Sequence, residues 1–193
     1  MGIVIKVEFR DGERYESIVR SIARDILLWL KRNLGLEPTK KLFIHIGGIE
    51  DWPVGESLPM SAGVDQTCHI YLDGYYLREH WEKGDLKEYL SVWLPREIVH
   101  SIFCQRRWWN TVPSEVEQVI AIGSAWLYAY SKRYYGYADE HLYLYDYEFH
   151  DSPIGRRFLE AKDYNMRLKI IKEVIDKIKT NRFIYRDQSI ERW

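Results

Sequence analysis

The stretch that most constrains the fold of this chain is residues 94–104, Leu-Pro-Arg-Glu-Ile-Val-His-Ser-Ile-Phe-Cys. Its apolar residues surround two ionisable ones, Glu97 and His100, which are three positions apart. Residues with this spacing share one face of an α-helix. The pattern therefore predicts an apolar helix that presents a carboxylate and an imidazole side by side. Pro95 either kinks this helix or begins a new one, because a proline disfavours the α conformation of the residue before it.

Glu97 and His100 also match the second half of a metal-binding motif, His-Glu-x-x-His. In that motif two histidines bind zinc, and the glutamate is the general base that activates the metal-bound water. The position of the first histidine is occupied here by Arg96. The same five residues thus indicate a zinc-peptidase scaffold and argue against an intact zinc site.

The composition is that of a folded domain without a strong preference for nucleic acid. The chain has 193 residues, of which 46% are hydrophobic, enough for a sizeable core. Twenty-eight basic and 29 acidic residues give a net charge of -1, which removes the electrostatic case for a dedicated nucleic-acid-binding protein. Charged residues make up 30% of the chain, a share typical of thermostable proteins. The 15 tyrosines and eight tryptophans favour an aromatic core or a surface for a protein partner.

Hydropathy and cysteine content indicate a cellular compartment. No apolar run approaches the ~20 residues of a membrane span, and the first residues do not resemble a secretory signal, so we expect a soluble, cytoplasmic protein. The two cysteines, Cys68 and Cys104, do not have the spacing of a metal site. A disulfide between them would fit a hot-adapted organism, but we expect two buried thiols, because cytosolic disulfides are rare in other organisms.

The first part of the chain alternates between strands and a helix. β-branched and apolar residues predict strands at residues 3–9, 42–46 and 67–72, and helical spacing predicts a helix from residue 16 to Gly35. Prolines and glycines predict an irregular loop over residues 51–64.

Two further helices are predicted around residues 94–104. Residues 85–93 lead into that stretch, and residues 114–130 follow it. The second helix has a clear start, because Ser114 and Glu117 form a Ser-x-x-Glu capping box directly after a proline. Between them, the Arg-Arg-Trp-Trp sequence of residues 106–109 is interpreted as a helix end with buried indoles, in preference to a platform for single-stranded nucleic acid.

The last third of the chain is rich in tyrosine. Alternating aromatic residues predict an extended strand with four rings on one covered face: Tyr143, Tyr145, Tyr147 and Phe149. After residues 153–155, a long amphipathic helix is predicted to run to about residue 180. No repeat or linker divides the sequence, so we expect a single domain over residues 1–193, with its core in residues 1–130 and the aromatic segment and long helix in residues 131–193.

The order strand, helix, strand, loop, strand and then a helix with Glu-x-x-His resembles the minimal core of zincin metallopeptidases of the gluzincin type. The resemblance covers about residues 1–130 and implies an α+β fold, with a small mixed sheet whose edge strand, residues 67–72, packs against the active-site helix. It implies that Glu97 corresponds to the general base, His100 to the second zinc ligand, and Glu117 or Glu115 to the third. Arg96 departs from the family pattern at the first ligand, and Pro95 departs from the unbroken helix that normally precedes the motif.

Each of these residues also has an ordinary structural interpretation. Glu97 would be favourable near a helix N-terminus because of the helix dipole, and His100 could be a hydrogen-bonded residue on a half-buried face. For Glu117 we favour the capping box. Arg96 could pair with nearby carboxylates and take the place of the metal, one cation for another.

We therefore expect a degenerate zincin-like protein without efficient peptidase activity, which acts in binding or regulation. We expect no cofactor; if the zinc site is intact after all, the cofactor is zinc. One alternative is an active metal-dependent protease that recruits His141 or His150 as a ligand, and another is an aromatic-rich interaction protein. The expected partner is a protein or polypeptide, and the tyrosine-rich segment could join copies of the chain into a homo-oligomer. Neither a nucleic acid nor a membrane is expected as a partner.

Overall fold

The computed structural model describes residues 2–48 and 62–180. Within these ranges the strands form one mixed sheet in the order β1-β2-β4-β3. Strands β1 and β2 are parallel, as are β2 and β4, whereas β3 is antiparallel to β4. The strands are β1 (Ile3–Val7), β2 (Leu42–Gly47), β3 (Ala62–Val64) and β4 (Ile70–Asp73). The predicted α+β class with a small mixed sheet is confirmed.

The edge strand differs from the prediction. The strand expected at residues 67–72 corresponds to β4, which lies inside the sheet between β2 and β3. The edge is β3, at the end of the loop predicted over residues 51–64, of which residues 51–61 lie outside the described ranges. Three residues, Ala-Gly-Val, are too short to show an alternating pattern, so the sequence did not reveal this strand.

In the order of the chain, one helix precedes β2 and another follows β4. Helix α1 (Glu13–Leu34) has the predicted span and ends at Gly35, whose φ of 61° is the left-handed conformation that glycine adopts easily. Helix α2 (Gly74–Lys83) was not predicted, because Asp73-Gly74 is a typical turn sequence. The side chain of Asp73 instead accepts a hydrogen bond from the backbone N–H of Tyr75 at 2.8 Å and caps the helix.

The core of the molecule contains two helices that are buried on nearly all sides. Helix α3 (Leu86–Gln105) joins the predicted helix at residues 85–93 to residues 94–104, and Pro95 lies inside it without beginning a new helix. Helix α4 (Ser114–Ser131) has the predicted span and packs along α3. A short 3-10 helix, Trp108–Asn110, connects the two.

The predicted capping box at the start of α4 is wrong. Pro113 occupies the N-cap position, Ser114 is already helical, and no side chain caps the helix. The carboxylate of Glu117 contacts α3 and the 3-10 helix instead. The carboxylate thus makes its hydrogen bonds with two side chains across the interface and not with a backbone N–H at the helix start.

The predicted aromatic strand is also wrong, because the segment is helical. It forms α5 (Tyr135–Leu144) and α6 (Asp146–Asp151). Phe149 is fully buried and Tyr145 half-buried, but Tyr143 is 80% exposed and Tyr147 is 60% exposed. Tyr145 lies at the break between the two helices, so Tyr143 belongs to α5 and Tyr147 and Phe149 belong to α6, which is why the four rings do not share one face.

The C-terminal helix is divided in two. Helix α7 (Pro153–Glu160) is followed by α8 (Tyr164–Lys179), and the side chain of Asp163 caps α8 by accepting a hydrogen bond from the N–H of Met166 at 2.9 Å. The buried face of α8 packs on α4 and α1 through Ile170, Ile171, Val174, Ile175 and Ile178. In the described part of the chain, no helix is long and apolar enough to cross a membrane.

The two cysteines form a disulfide, so the prediction of free thiols is wrong. The Cα atoms of Cys68 and Cys104 are 5.5 Å apart. The bond joins the turn before β4 to the last turn of α3, and neither residue is fully buried. It therefore fixes the β3–β4 hairpin against the central helix.

Candidate functional site

The residues selected from the sequence meet in one cleft. Helices α3 and α4, the 3-10 helix and strand β3 border a cavity of about 240 Å³. Glu97 and His100 face it from α3 and Glu117 from α4, whereas Glu115 does not line it. The lining residues are Val64, Arg96, Glu97, His100, Trp109, Glu117 and Gln118. We call this cavity the α3–α4 cleft.

Arg96 neutralises Glu97 inside the cleft. Its Nη1 donates a hydrogen bond to Oε1 of Glu97 at 2.6 Å, and its Nη2 donates to Oε1 of Gln118 at 3.3 Å. The centre of the guanidinium lies 4.9 Å from the ring centroid of Tyr145, a cation–π distance. Arg96 is only 6% exposed and Glu97 only 1% exposed, so the ion pair is almost entirely removed from water.

The guanidinium remains charged in this environment. Burial alone would lower the pKa of Arg96, but the adjacent carboxylate of Glu97 raises that pKa above its ordinary value. The cleft therefore contains a permanent cation at the position that the motif gives to a neutral imidazole.

His100 and Glu117 form the second polar pair of the cleft. Nδ1 of His100 lies 2.6 Å from Oε1 of Glu117, and both residues are 8% exposed. The same carboxylate oxygen accepts a hydrogen bond from Nε1 of Trp109 at 2.5 Å. These two bonds hold Glu117 toward the 3-10 helix and away from the Arg96–Glu97 pair.

This set of donors does not fit a zinc ion. A zinc site of the His-Glu-x-x-His kind needs three protein ligands, and Arg96 stands where the first histidine of that pattern would be. The carboxylate of Glu97 is engaged by Arg96, and His100 and Glu117 are bonded to each other. Across residues 2–48 and 62–180, no group of three or more His, Cys, Asp or Glu side chains is arranged to hold a metal.

The two histidines proposed as substitute ligands do not line the α3–α4 cleft. His150 is on α6, where its Nε2 lies 3.2 Å from the carboxylate of Asp146 and its side chain is 61% exposed. His141 is on α5 and is 2% exposed, and neither of its ring nitrogens has a hydrogen-bond partner among the described residues. Burial, together with the charge of Arg96, lowers the pKa of His141 to about 3. His141 is therefore a neutral residue of the core behind the cleft.

The sequence did not identify every residue of the cleft. Gln118 and Tyr145 contact Arg96, and neither has a distinctive spacing relative to it. Trp109 was expected to be buried, but it is 36% exposed and its indole N–H is directed at Glu117. Nothing in the Arg-Arg-Trp-Trp sequence of residues 106–109 indicated that Trp109 would donate a hydrogen bond to Glu117.

Comparison with known proteins does not extend this description, because no protein-family model, curated protein or solved structure matches the chain.

Proposed function

We propose that this is a zincin-like protein without efficient peptidase activity, in which the α3–α4 cleft binds a protein segment instead of cleaving it. The observation that carries the proposal is the buried Arg96–Glu97 ion pair, with 2.6 Å between Nη1 and Oε1. It places a cation where the motif has a zinc ligand, and it engages the carboxylate that would be the general base.

The arrangement of elements supports the zincin-like part of the proposal. An antiparallel edge strand, β3, lies beside a central helix that carries Glu97 and His100, and the next long helix provides Glu117 to the same cleft. This is the placement that the resemblance implies for the general base and two of the zinc ligands.

The hydrogen bonds of the cleft support the loss of catalysis. A general base must be free to accept a proton from water, but Glu97 is 1% exposed and is bonded to a guanidinium. His100 bonds to Glu117, and Glu117 also bonds to Trp109, so each acidic or imidazole side chain among the described residues of the cleft already has a side-chain partner.

An extended polypeptide suits the border of this cleft. Strand β3 is the last strand of the sheet within the described residues, and an added strand can pair with such an edge. Val64 on β3 and the partly exposed indole of Trp109 provide apolar surface beside it. A segment with an apolar side chain at this point would bind through backbone pairing and one apolar contact.

Two assays test the proposal together. Incubation with an unfolded protein substrate, with zinc or with chelator, should give no cleavage above background; chelator-sensitive cleavage that Glu97→Gln abolishes would overturn the proposal. Binding of labelled unstructured peptides, followed by fluorescence anisotropy, should weaken in Trp109→Ala. The matched control is Trp81→Ala on α2, because Trp81 is 41% exposed but does not line the cleft. Equal binding by both variants would contradict the role of the cleft.

We also propose that α5 and α6 provide a contact surface between copies of the chain. Tyr143, Leu144 and Tyr147 are 80%, 55% and 60% exposed, so three large side chains within five residues face solvent, and exposed apolar surface of this kind often marks a protein interface. Light scattering after size exclusion should show a dimer or larger species for the natural chain and a smaller one for Tyr143→Ser/Tyr147→Ser. A monomer at all concentrations would exclude this surface as a self-association site.

A further inference from the structure

The second face of the sheet carries a pair of histidines that the α3–α4 cleft does not use. In β2 and β4, the side chains of Ile44, Ile46 and Ile70 are fully buried on the helical side. His45 is on β2 opposite Tyr71 of β4, and His69 immediately precedes β4, so these side chains belong to the other face. Nε2 of His45 lies 3.1 Å from Nδ1 of His69.

Neighbouring rings hold the two imidazoles in place. Phe43 stacks on His69 with 4.7 Å between ring centroids, and Tyr71 stacks on His45 at the same centroid distance, with 11° between the ring planes. The backbone N–H of His69 donates to Oδ1 of Asp65 at 2.9 Å, and the hydroxyl of Tyr71 donates to Oδ2 of the same residue at 3.0 Å. Asp65 is 8% exposed and thus acts as a buried positioning residue for the pair.

We propose that His45 and His69 bind one divalent ion of the late first transition row, such as Cu²⁺, Ni²⁺ or Zn²⁺, through Nε2 and Nδ1 respectively. Imidazole nitrogens bind these ions at about 2.0–2.1 Å, so two of them on one ion are about 2.8–3.4 Å apart for angles between square-planar and tetrahedral. The 3.1 Å separation lies within this interval. The ion would replace the hydrogen atom that now joins the two rings.

The surroundings of the pair suit metal binding. The side chain of His45 is 15% exposed, so an ion can reach the ring from solvent. The carboxylate of Glu8 lies 3.9 Å from Nδ1 of His45, which favours a hydrogen on that nitrogen and a lone pair on Nε2. When the ion binds, the hydrogen between Nε2 of His45 and Nδ1 of His69 passes to Nε2 of His69, which frees a lone pair on each of the two ligating nitrogens.

The site has two protein ligands and open positions. Among the described residues no third His, Cys or carboxylate joins the pair as a ligand, so water or an added small ligand completes the coordination. Such an ion exchanges with solvent and should follow the affinity order Cu²⁺ above Ni²⁺ and Zn²⁺. The site lies on the sheet face opposite the helices and does not depend on the function proposed for the α3–α4 cleft.

The test is a titration of the full chain, without a histidine tag, with CuCl₂ after treatment with chelator. Calorimetry should show one Cu²⁺ per chain, and electron paramagnetic resonance should show two imidazole nitrogens in the equatorial plane. His45→Phe and His69→Phe keep an aromatic ring in the stack and should each weaken binding at least about tenfold. Circular dichroism checks that the variants fold. If the phenylalanine ring of His69→Phe prevents folding, His69→Asn provides a second variant at that position.

The controls separate this site from other histidines. His150→Ala removes an exposed histidine on α6 and should leave copper affinity unchanged. His100→Ala changes the α3–α4 cleft and should also leave it unchanged, so failure of one proposal does not imply failure of the other. Copper affinity that survives both His45→Phe and His69→Phe, or a spectrum with fewer than two nitrogens, would overturn the inference.

Discussion

The guanidinium of Arg96 lies 2.6 Å from the carboxylate of Glu97, its neighbour in sequence, and both side chains are buried in the α3–α4 cleft. Adjacent residues on a helix do not normally face each other, so the contact depends on the length of the Arg96 side chain and on the walls of the cleft. Gln118, which lines the cleft, and the ring of Tyr145 also contact the guanidinium. The arrangement joins Glu97 to the residue that stands where the sequence pattern His-Glu-x-x-His has its first histidine.

The first prediction concerns the stability of this ion pair. Arg96→Met should lower the free energy of unfolding by about 3–5 kcal/mol, because it leaves the buried charge of Glu97 without a partner. Arg96→Met/Glu97→Leu removes both charges and should recover most of the loss. Urea denaturation at pH 7 measures both values. A double variant no more stable than Arg96→Met would show that the uncompensated charge is not the cause.

The disulfide provides a second prediction. Cys68 and Cys104 are 36 residues apart, and a crosslink over a loop of this size stabilises a fold by roughly 2–4 kcal/mol. Cys104→Ser should therefore lower the free energy of unfolding by that amount. Reductant should destabilise the natural chain equally and should leave Cys68→Ser/Cys104→Ser unchanged, which makes the double variant the control. Stability of the natural chain that does not respond to reductant would contradict the presence of the bond.

The third prediction concerns the pH dependence due to His141. Its pKa is about 3 in the folded protein, mainly because of burial, and about 6.5 in an unfolded chain. Between these values the unfolded state binds a proton that the folded state does not, so His141 destabilises the fold by about 1.4 kcal/mol for each pH unit below 6.5. Above pH 6.5 this contribution vanishes.

His141→Leu should remove that part of the pH dependence. Carboxylates also destabilise proteins in acid, so the quantity to compare is the difference in unfolding free energy between the natural chain and the variant. This difference should be constant from pH 7 to pH 8 and should shift in favour of the variant from pH 6 to pH 4. The exposed His150→Ala is the control. Parallel curves for the natural chain and His141→Leu would contradict the lowered pKa.

The sequence predicted the elements whose patterns are long and periodic. Helices α1 and α4, strands β1 and β2, and the grouping of Glu97, His100 and Glu117 followed from apolar spacing and motif order. Local rules failed where a tertiary contact offered more energy. Glu117 fits a capping box, but His100 and Trp109 bind its carboxylate.

Other features were ambiguous in the sequence itself. Residues two apart share one face of a strand, and residues four apart share one face of a helix, so the spacing of Tyr143, Tyr145, Tyr147 and Phe149 fits both. Which carboxylate pairs with Arg96 depends on the conformation of the Arg96 side chain, and the spacing of residues in the sequence does not determine that conformation. The contact between His45 and His69 required the parallel register of β2 and β4, which follows from the assembled sheet and not from either strand alone.

The most direct test of the account is a measurement of zinc binding when Arg96 is replaced. All proteins should carry His69→Phe, so that an ion at the His45–His69 pair does not contribute. The variants compared are this parent, Arg96→His, which adds a ligand beside His100, and Arg96→Met, which removes the cation without adding one. Elemental analysis after dialysis and titration against a competing chelator give stoichiometry and affinity.

We predict well under one zinc per chain in the parent, because a permanent cation occupies the first ligand position of the motif. Arg96→His should bind zinc at least about 10–100-fold more tightly than Arg96→Met, since even loss of a residue that only supports a ligand costs that much affinity. Tight, stoichiometric zinc in the parent, or equal affinity in Arg96→His and Arg96→Met, would contradict the proposal that Arg96 replaces a zinc ligand in a zincin-like cleft.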